Sequence, residues 1–122
     1  MTILVTDDSK MARRMLIKTL GDFISDDDII LQAQNGKECV DIYKTNKPQI
    51  VFLDLTMPIM DGFEALKYLK LHDKDAKVVI VSADIQKAAF DRVMEDGAMD
   101  FIQKPITKEK MQHIFDNLND LQ

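Results

Sequence analysis

Four apolar runs in this chain are each followed at once by a chemically distinctive polar residue. Ile3-Leu4-Val5 leads to Asp7-Asp8, Ile50-Val51-Phe52-Leu53 to Asp54, Val78-Val79-Ile80-Val81 to Ser82, and Phe101-Ile102 to Lys104-Pro105. Short apolar runs rich in β-branched residues read as strands buried on both faces. Segments of helical periodicity lie between them. Strand, polar residue, then helix, repeated along the chain, predicts an α/β fold: a parallel sheet with helices on both faces. Right-handed crossovers leave few topologies for it. In such sheets ligands bind outside the carboxyl ends of the strands, at the switch point. Asp7, Asp8, Asp54, Ser82 and Lys104 should therefore converge, although they span nearly the whole chain.

The periodicity predicts five strand-helix units. The first strand covers about residues 2–6. The first helix covers about 9–20, with Ser9 as N-cap and Gly21 just past its end. Met11, Met15, Leu16 and Leu20 are expected on its inner face, with Lys10, Arg13, Arg14 and Lys18 mostly toward water. Ile29-Ile30-Leu31 forms the second strand. The second helix runs from Gly36 to Asn46 and buries Cys39, Val40 and Tyr43. The third strand is 50–53, and the third helix opens after Asp61-Gly62 with Phe63, Leu66 and Leu69 inward. The fourth strand is 78–82. The fourth helix, about 86–95, carries a core stripe of Phe90, Val93 and Met94 and stops at Gly97. The fifth strand is 100–103, and the fifth helix, about 107–119, buries Met111, Ile114, Phe115, Leu118 and Leu121.

At 122 residues the chain reads as one domain, 1–122, large enough for a proper core. Its start enters the first strand almost at once and lacks both a basic region and a long apolar core. It thus reads as a native start rather than a signal peptide. No apolar run is long enough to cross a membrane. With a single cysteine, Cys39, and no export signal, a cytoplasmic setting is expected, and Cys39 reads as helix packing. The net charge of -5 disfavours nonspecific nucleic-acid binding. Asp26-Asp27-Asp28 reads as a solvated turn; it lacks the alternating spacing and distal Glu of a calcium loop. His72 and His113 read as surface residues.

Carboxylates packed together repel, and a hard divalent cation relieves them. Magnesium prefers oxygen ligands and keeps several waters. Asp8 and Asp54 are the expected direct ligands, Asp7 a ligand directly or through water, and the Thr56 carbonyl the neutral one. No Cys or His lies nearby in sequence, which argues against zinc. Asp54 is the best nucleophile, since a carboxylate can attack phosphorus to give an acyl phosphate. Lys104 would offset charge on the transferred group, and the Ser82 hydroxyl would donate a hydrogen bond to it.

Several segments together resemble the receiver domains of bacterial response regulators. They are Asp7-Asp8-Ser9; the stretch Leu53-Asp54-Leu55-Thr56-Met57-Pro58-Ile59-Met60-Asp61-Gly62; Ser82-Ala83-Asp84; and Gly97 to Pro105. The resemblance covers the whole chain, and is strongest to the single-domain chemotaxis members. It implies a flavodoxin-like (βα)5 fold with strand order 2-1-3-4-5, an order known for that fold and not read from spacing. It also implies that Asp54 accepts a phosphoryl group from a histidine kinase, that magnesium is the cofactor, and that the Lys104-Pro105 peptide is cis. Ser82 would turn inward on phosphorylation and pull loop 83–86, while Phe101, at the aromatic switch position, moves into the vacated space. Output would leave from the fourth helix, fifth strand and fifth helix to a flagellar motor switch or another protein. The chain would be a monomer, able to dimerise when phosphorylated, with no nucleic-acid or membrane partner. A phosphorelay intermediate or phosphate sink is the alternative role.

The chain departs from the chemotaxis pattern where Phe101 replaces a common Tyr and Ser82 a frequent Thr, so the donor at 82 survives and the hydroxyl at 101 is lost. Three rivals remain. A haloacid-dehalogenase-like phosphatase needs a second Asp two residues after the nucleophile, where Asp54 has Thr56 and Asp7 has Ser9. A flavodoxin-like electron carrier needs a hydroxyl- and glycine-rich phosphate loop, where Asp7-Asp8 would repel the flavin phosphate. A receiver-like interaction module without phosphorylation would have no need of the full acidic, hydroxyl and lysine set. The expected role is a switch that assists its own phosphorylation and dephosphorylation, not an enzyme acting on an external metabolite.

Overall fold

The structure is a computed structural model that describes residues 1–84 and 86–120, without the side chain of residue 120. Ten elements alternate: β1 (Thr2–Thr6), α1 (Lys10–Leu20), β2 (Ile29–Ala33), α2 (Gly36–Asn46), β3 (Ile50–Leu53), α3 (Gly62–His72), β4 (Val78–Ser82), α4 (Lys87–Glu95), β5 (Asp100–Gln103) and α5 (Lys108–Asp120). The five strands form one parallel sheet in the order β2-β1-β3-β4-β5. The chain steps from β1 outward to β2, then returns past β1 to β3 and continues the other way. With right-handed crossovers, that reversal sends α1 to one face and α2, α3 and α4 to the other. The ends of β1 and β3, neighbours in the sheet, flank the crevice that results.

Strand alternation divides the core in two. Leu4, Val51, Leu53, Val78 and Ile80 pack with Cys39, Val40 and Tyr43 of α2, Ala65, Leu66 and Leu69 of α3, and Ala89 and Val93 of α4. Ile3, Val5, Ile50, Phe52, Val79 and Val81 face Leu16 and Leu20 of α1, and Met111, Ile114, Phe115 and Leu118 of α5. Both faces being covered explains why β1, β3 and β4 read as unbroken apolar runs. The Cys39 thiol is buried, and burial pushes its pKa up to about 12 despite a hydroxyl neighbour, Thr6. It is packing, as expected. Leu121 lies outside the described residues.

Two helix faces, on α1 and α4, differ from the sequence expectation. On α1, Arg13 is buried with Leu16 and Leu20, while Met11 and Met15 are 72% and 57% exposed. The spacing 13, 16, 20 is itself a helical stripe, and the polar head of Arg13 finds partners at the sheet edge. On α4 the buried pair is Ala89 and Val93; Phe90 is 44% exposed, its ring edge-on to Phe101 at 5.7 Å. Met94 is only partly buried against that core. On α3, Leu66 and Leu69 are fully buried and Phe63 packs on the same core as expected, its ring under the Arg92 guanidinium at 4.2 Å from the ring centre, with Ala65 buried beside them. Aromatic rings and long basic stems satisfy helical spacing without being deepest in the core.

The start of α3 is fixed by close backbone approach. A Cβ on Gly62 would lie 2.0 Å from the Asp54 carbonyl oxygen, and the Gly62 N–H donates to the Leu55 carbonyl at 2.9 Å. No side chain fits there without moving Asp54 itself. Gly62→Ala should cost about 1–3 kcal/mol in urea unfolding, the order for overpacking against unyielding backbone; a cost under about 0.5 kcal/mol would refute the close approach.

Candidate functional site

Five of the sequence-identified side chains stand at strands' carboxyl ends, while Phe101 lies within β5. Asp7 and Asp8 follow β1, Asp54 follows β3, Ser82 ends β4 and Lys104 follows β5. Backbone hydrogen bonds continue the ladder past the strands and set the spacing. The Asp7 N–H donates to the Ala33 carbonyl at 3.1 Å, the Asp54 N–H to the Thr6 carbonyl at 3.0 Å, and the Lys104 N–H to the Ser82 carbonyl at 2.9 Å.

Asp7, Asp8 and Asp54 each present a carboxylate oxygen within 4.8 Å of the others. Asp7 and Asp54 are buried and Asp8 is exposed. Lys104 lies against the buried pair, Nζ 2.7 Å from Asp7 Oδ2 and 3.4 Å from Asp54 Oδ2. The remaining oxygens are held locally: Asp7 Oδ1 accepts the Ser9 N–H at 2.9 Å and Asp54 Oδ1 the Leu55 N–H at 2.8 Å. Burial, and then the Asp7 charge, raise the Asp54 pKa above its ordinary value against the opposing pull of Lys104 and Leu55. Burial works against the Lys104 charge, but its hydrogen bond to Asp7 and the two carboxylate charges prevail and raise its pKa.

The donor set is oxygen only. That suits a hard divalent cation, which holds oxygens at about 2.1 Å and hence about 3–4 Å from one another. The acidic cluster comes close to that span, so the residues fit magnesium. Thr56 is exposed in the loop beyond Asp54. In the same loop Ile59 takes a left-handed φ of 70°, an uncommon backbone state for a β-branched residue.

Ser82 is buried, and its Oγ accepts the Asp84 N–H at 3.0 Å, so the hydroxyl is engaged with its own loop. Phe101 is half-buried against Phe90. The Lys104-Pro105 peptide is cis. His72 and His113 are exposed. A cavity of about 530 Å³ opens beside the acids between α1 and the segment after β5, lined by Leu16, Phe52, Val81 and Ile106 as well as Asp7, Asp54 and Lys104. Sequence reasoning missed Arg13, whose Nη1 donates to the Asp7 carbonyl at 2.7 Å.

Residues 3–116 match the family model of the response regulator receiver domain. The chain belongs to that family. It is 39% identical over 109 residues to the chemotaxis protein CheY of Listeria monocytogenes, covering 89% of this chain and 90% of that protein. It is 35% identical to CheY of Bacillus subtilis, with 89% of each covered. Among solved structures it is similar to the CheX-CheY-BeF3-Mg complex of Borrelia burgdorferi, with TM-score 0.87, 30% identity, and coverage of 97% of this chain and 88% of that one. The chain is thus a CheY-like receiver domain of the two-component response regulator class. No helix among the described residues is long and apolar enough to cross a membrane.

The raised Asp54 pKa has a definite sign for stability. A carboxyl that titrates higher folded than unfolded binds its proton more tightly in the folded state, so stability falls as pH rises from the unfolded value through the folded one. Above that window the charged Asp54 is a cost in metal-free protein. Asp54→Asn should therefore raise Tm at pH 7 in chelator, with the gain shrinking in acid; an unchanged or lower Tm at pH 7 would contradict the reading.

Proposed function

We propose that this chain is a magnesium-dependent phosphoacceptor switch, with Asp54 as the acceptor. The observation that carries the reading is the convergence of Asp7, Asp8, Asp54 and Lys104 from three strand ends onto one small volume. A partner kinase's phosphohistidine is the donor: its N–P bond breaks, a bond forms between an Asp54 carboxylate oxygen and phosphorus, and the imidazole leaves. Water later cleaves the acyl phosphate to restore Asp54. Asp8 and Asp54, Asp7 directly or through water, and the Thr56 carbonyl would hold magnesium, which neutralises charge on the phosphoryl oxygens when bound. Lys104 exchanges its Asp7 contact for the phosphoryl group.

Ser82 supplies the switch. Its hydroxyl donates to a phosphoryl oxygen and gives up the Asp84 N–H, so the backbone at Ala83 and Asp84 moves. Phe101 then leaves Phe90 and turns inward, which changes the surface of α4, β5 and α5. This is a two-state element biased by one charge-changing modification. The likeness to CheY proteins supports a cytoplasmic role in chemotaxis or motility, with a chemotaxis-type kinase upstream and a motor switch or other output protein downstream. Residues 1–122 act as one receiver domain, monomeric at rest, which switches itself and turns over no external metabolite.

Incubation with acetyl phosphate should add one phosphoryl group by intact mass only when magnesium is present, and nothing to Asp54→Asn. In Ser82→Ala the adduct should still form, but the Asp84 amide resonance should no longer shift with it. No adduct in wild type under conditions that trap a short-lived acyl phosphate would contradict the proposal and favour an interaction module without phosphorylation.

A further inference from the structure

Arg13 is a buried cation. Only 8% of its surface is exposed. Among the described residues no carboxylate makes an ion pair with it. Its guanidinium instead spans two neutral oxygens: Nη1 donates to the Asp7 carbonyl at 2.7 Å and Nε to Gln32 Oε1 at 2.9 Å. A buried charge is retained at a cost unless its hydrogen bonds do something an apolar side chain would not.

The Asp7 carbonyl belongs to the peptide that joins Asp7 to Asp8. The same residue's N–H is held by Ala33. Both backbone groups of Asp7 are thus fixed, and the plane leading into Asp8 with them. Asp8 needs that support. It is exposed, and no hydrogen bond among the described residues holds its carboxylate. Its direction toward Asp7 and Asp54 comes from the backbone alone.

We infer that Arg13 is a positioning residue for the cation site, acting through the Asp7–Asp8 peptide; the inference rests on the phosphoacceptor reading above. Here charge and geometry act on cation affinity with opposite signs. A positive charge beneath the acids repels a divalent cation, so its removal alone would tighten binding. Loss of the carbonyl bond would loosen it. Arg13→Lys separates the two: the charge stays, but the shorter stem ends before the far guanidinium nitrogens and has no fork. Gln32→Ala keeps the Asp7 bond and removes only the tether to β2.

Magnesium binding to the unphosphorylated protein, followed by amide shifts of the β1–α1 loop, is the first readout. Outer-shell partners of metal ligands typically contribute about 10–100-fold in affinity. Arg13→Lys should weaken binding about tenfold and Gln32→Ala less than about twofold. The magnesium needed for half-maximal phosphorylation by acetyl phosphate should rise in parallel in Arg13→Lys, with the rate at saturating magnesium nearly unchanged. Wild-type affinity in Arg13→Lys, or equal weakening in Gln32→Ala, overturns the inference. Failure of wild type to bind magnesium overturns the functional reading instead, so the two failures are distinguishable.

Discussion

The ammonium of Lys104, 2.7 Å from Asp7 and 3.4 Å from Asp54, is the interaction on which the rest of the site depends. Two carboxylates about 4 Å apart in a protein repel by on the order of 4 kcal/mol at an effective dielectric constant of about 20. That is comparable to the whole stability of a marginal domain. Lys104 offsets that repulsion from the end of β5, at the edge of the sheet, 97 residues after Asp7. The same contact is the one that a bound metal and a phosphoryl group would rearrange.

The contact in turn depends on strand ends being level. Backbone bonds from Asp7 to Ala33, Asp54 to Thr6 and Lys104 to Ser82 extend the ladder one residue past each strand. They carry register from the sheet into the loops. Gly62 then brings the α3 N-terminus onto the Asp54 backbone, and Gly36 donates its N–H to the Met60 carbonyl at 2.9 Å, joining the loop after β2 to that after β3. Packing on two faces thus becomes precision at one rim.

Much of this was legible in the sequence, for a physical reason. Strands buried on both faces must be apolar throughout, so β1, β3 and β4 announce themselves, and the polar residue that ends each one is conspicuous. The strand order came only from the resemblance, because periodicity says nothing about which strands are neighbours. Helix faces were less legible. Residues 11, 15 and 13, 16, 20 on α1 both have helical spacing, and hydrophobicity alone favours the methionines. Arg13 wins its buried place because two oxygens, on Asp7 and Gln32, await a forked donor there. That signal is tertiary. Phe90 leaves the expected core stripe for a similar reason: its partner is one ring, Phe101, on the edge strand β5.

A crystal structure of the protein with magnesium and beryllium fluoride, a mimic of the phosphoryl group, tests the central claim most directly. A metal should be held by Asp8, Asp54 and the Thr56 carbonyl, with fluoride density on Asp54. Lys104 Nζ should have moved from Asp7 to the fluoride, and Ser82 Oγ should have parted from the Asp84 N–H. Density on any other carboxylate, or Lys104 and Ser82 keeping their resting partners beside an occupied site, would contradict it.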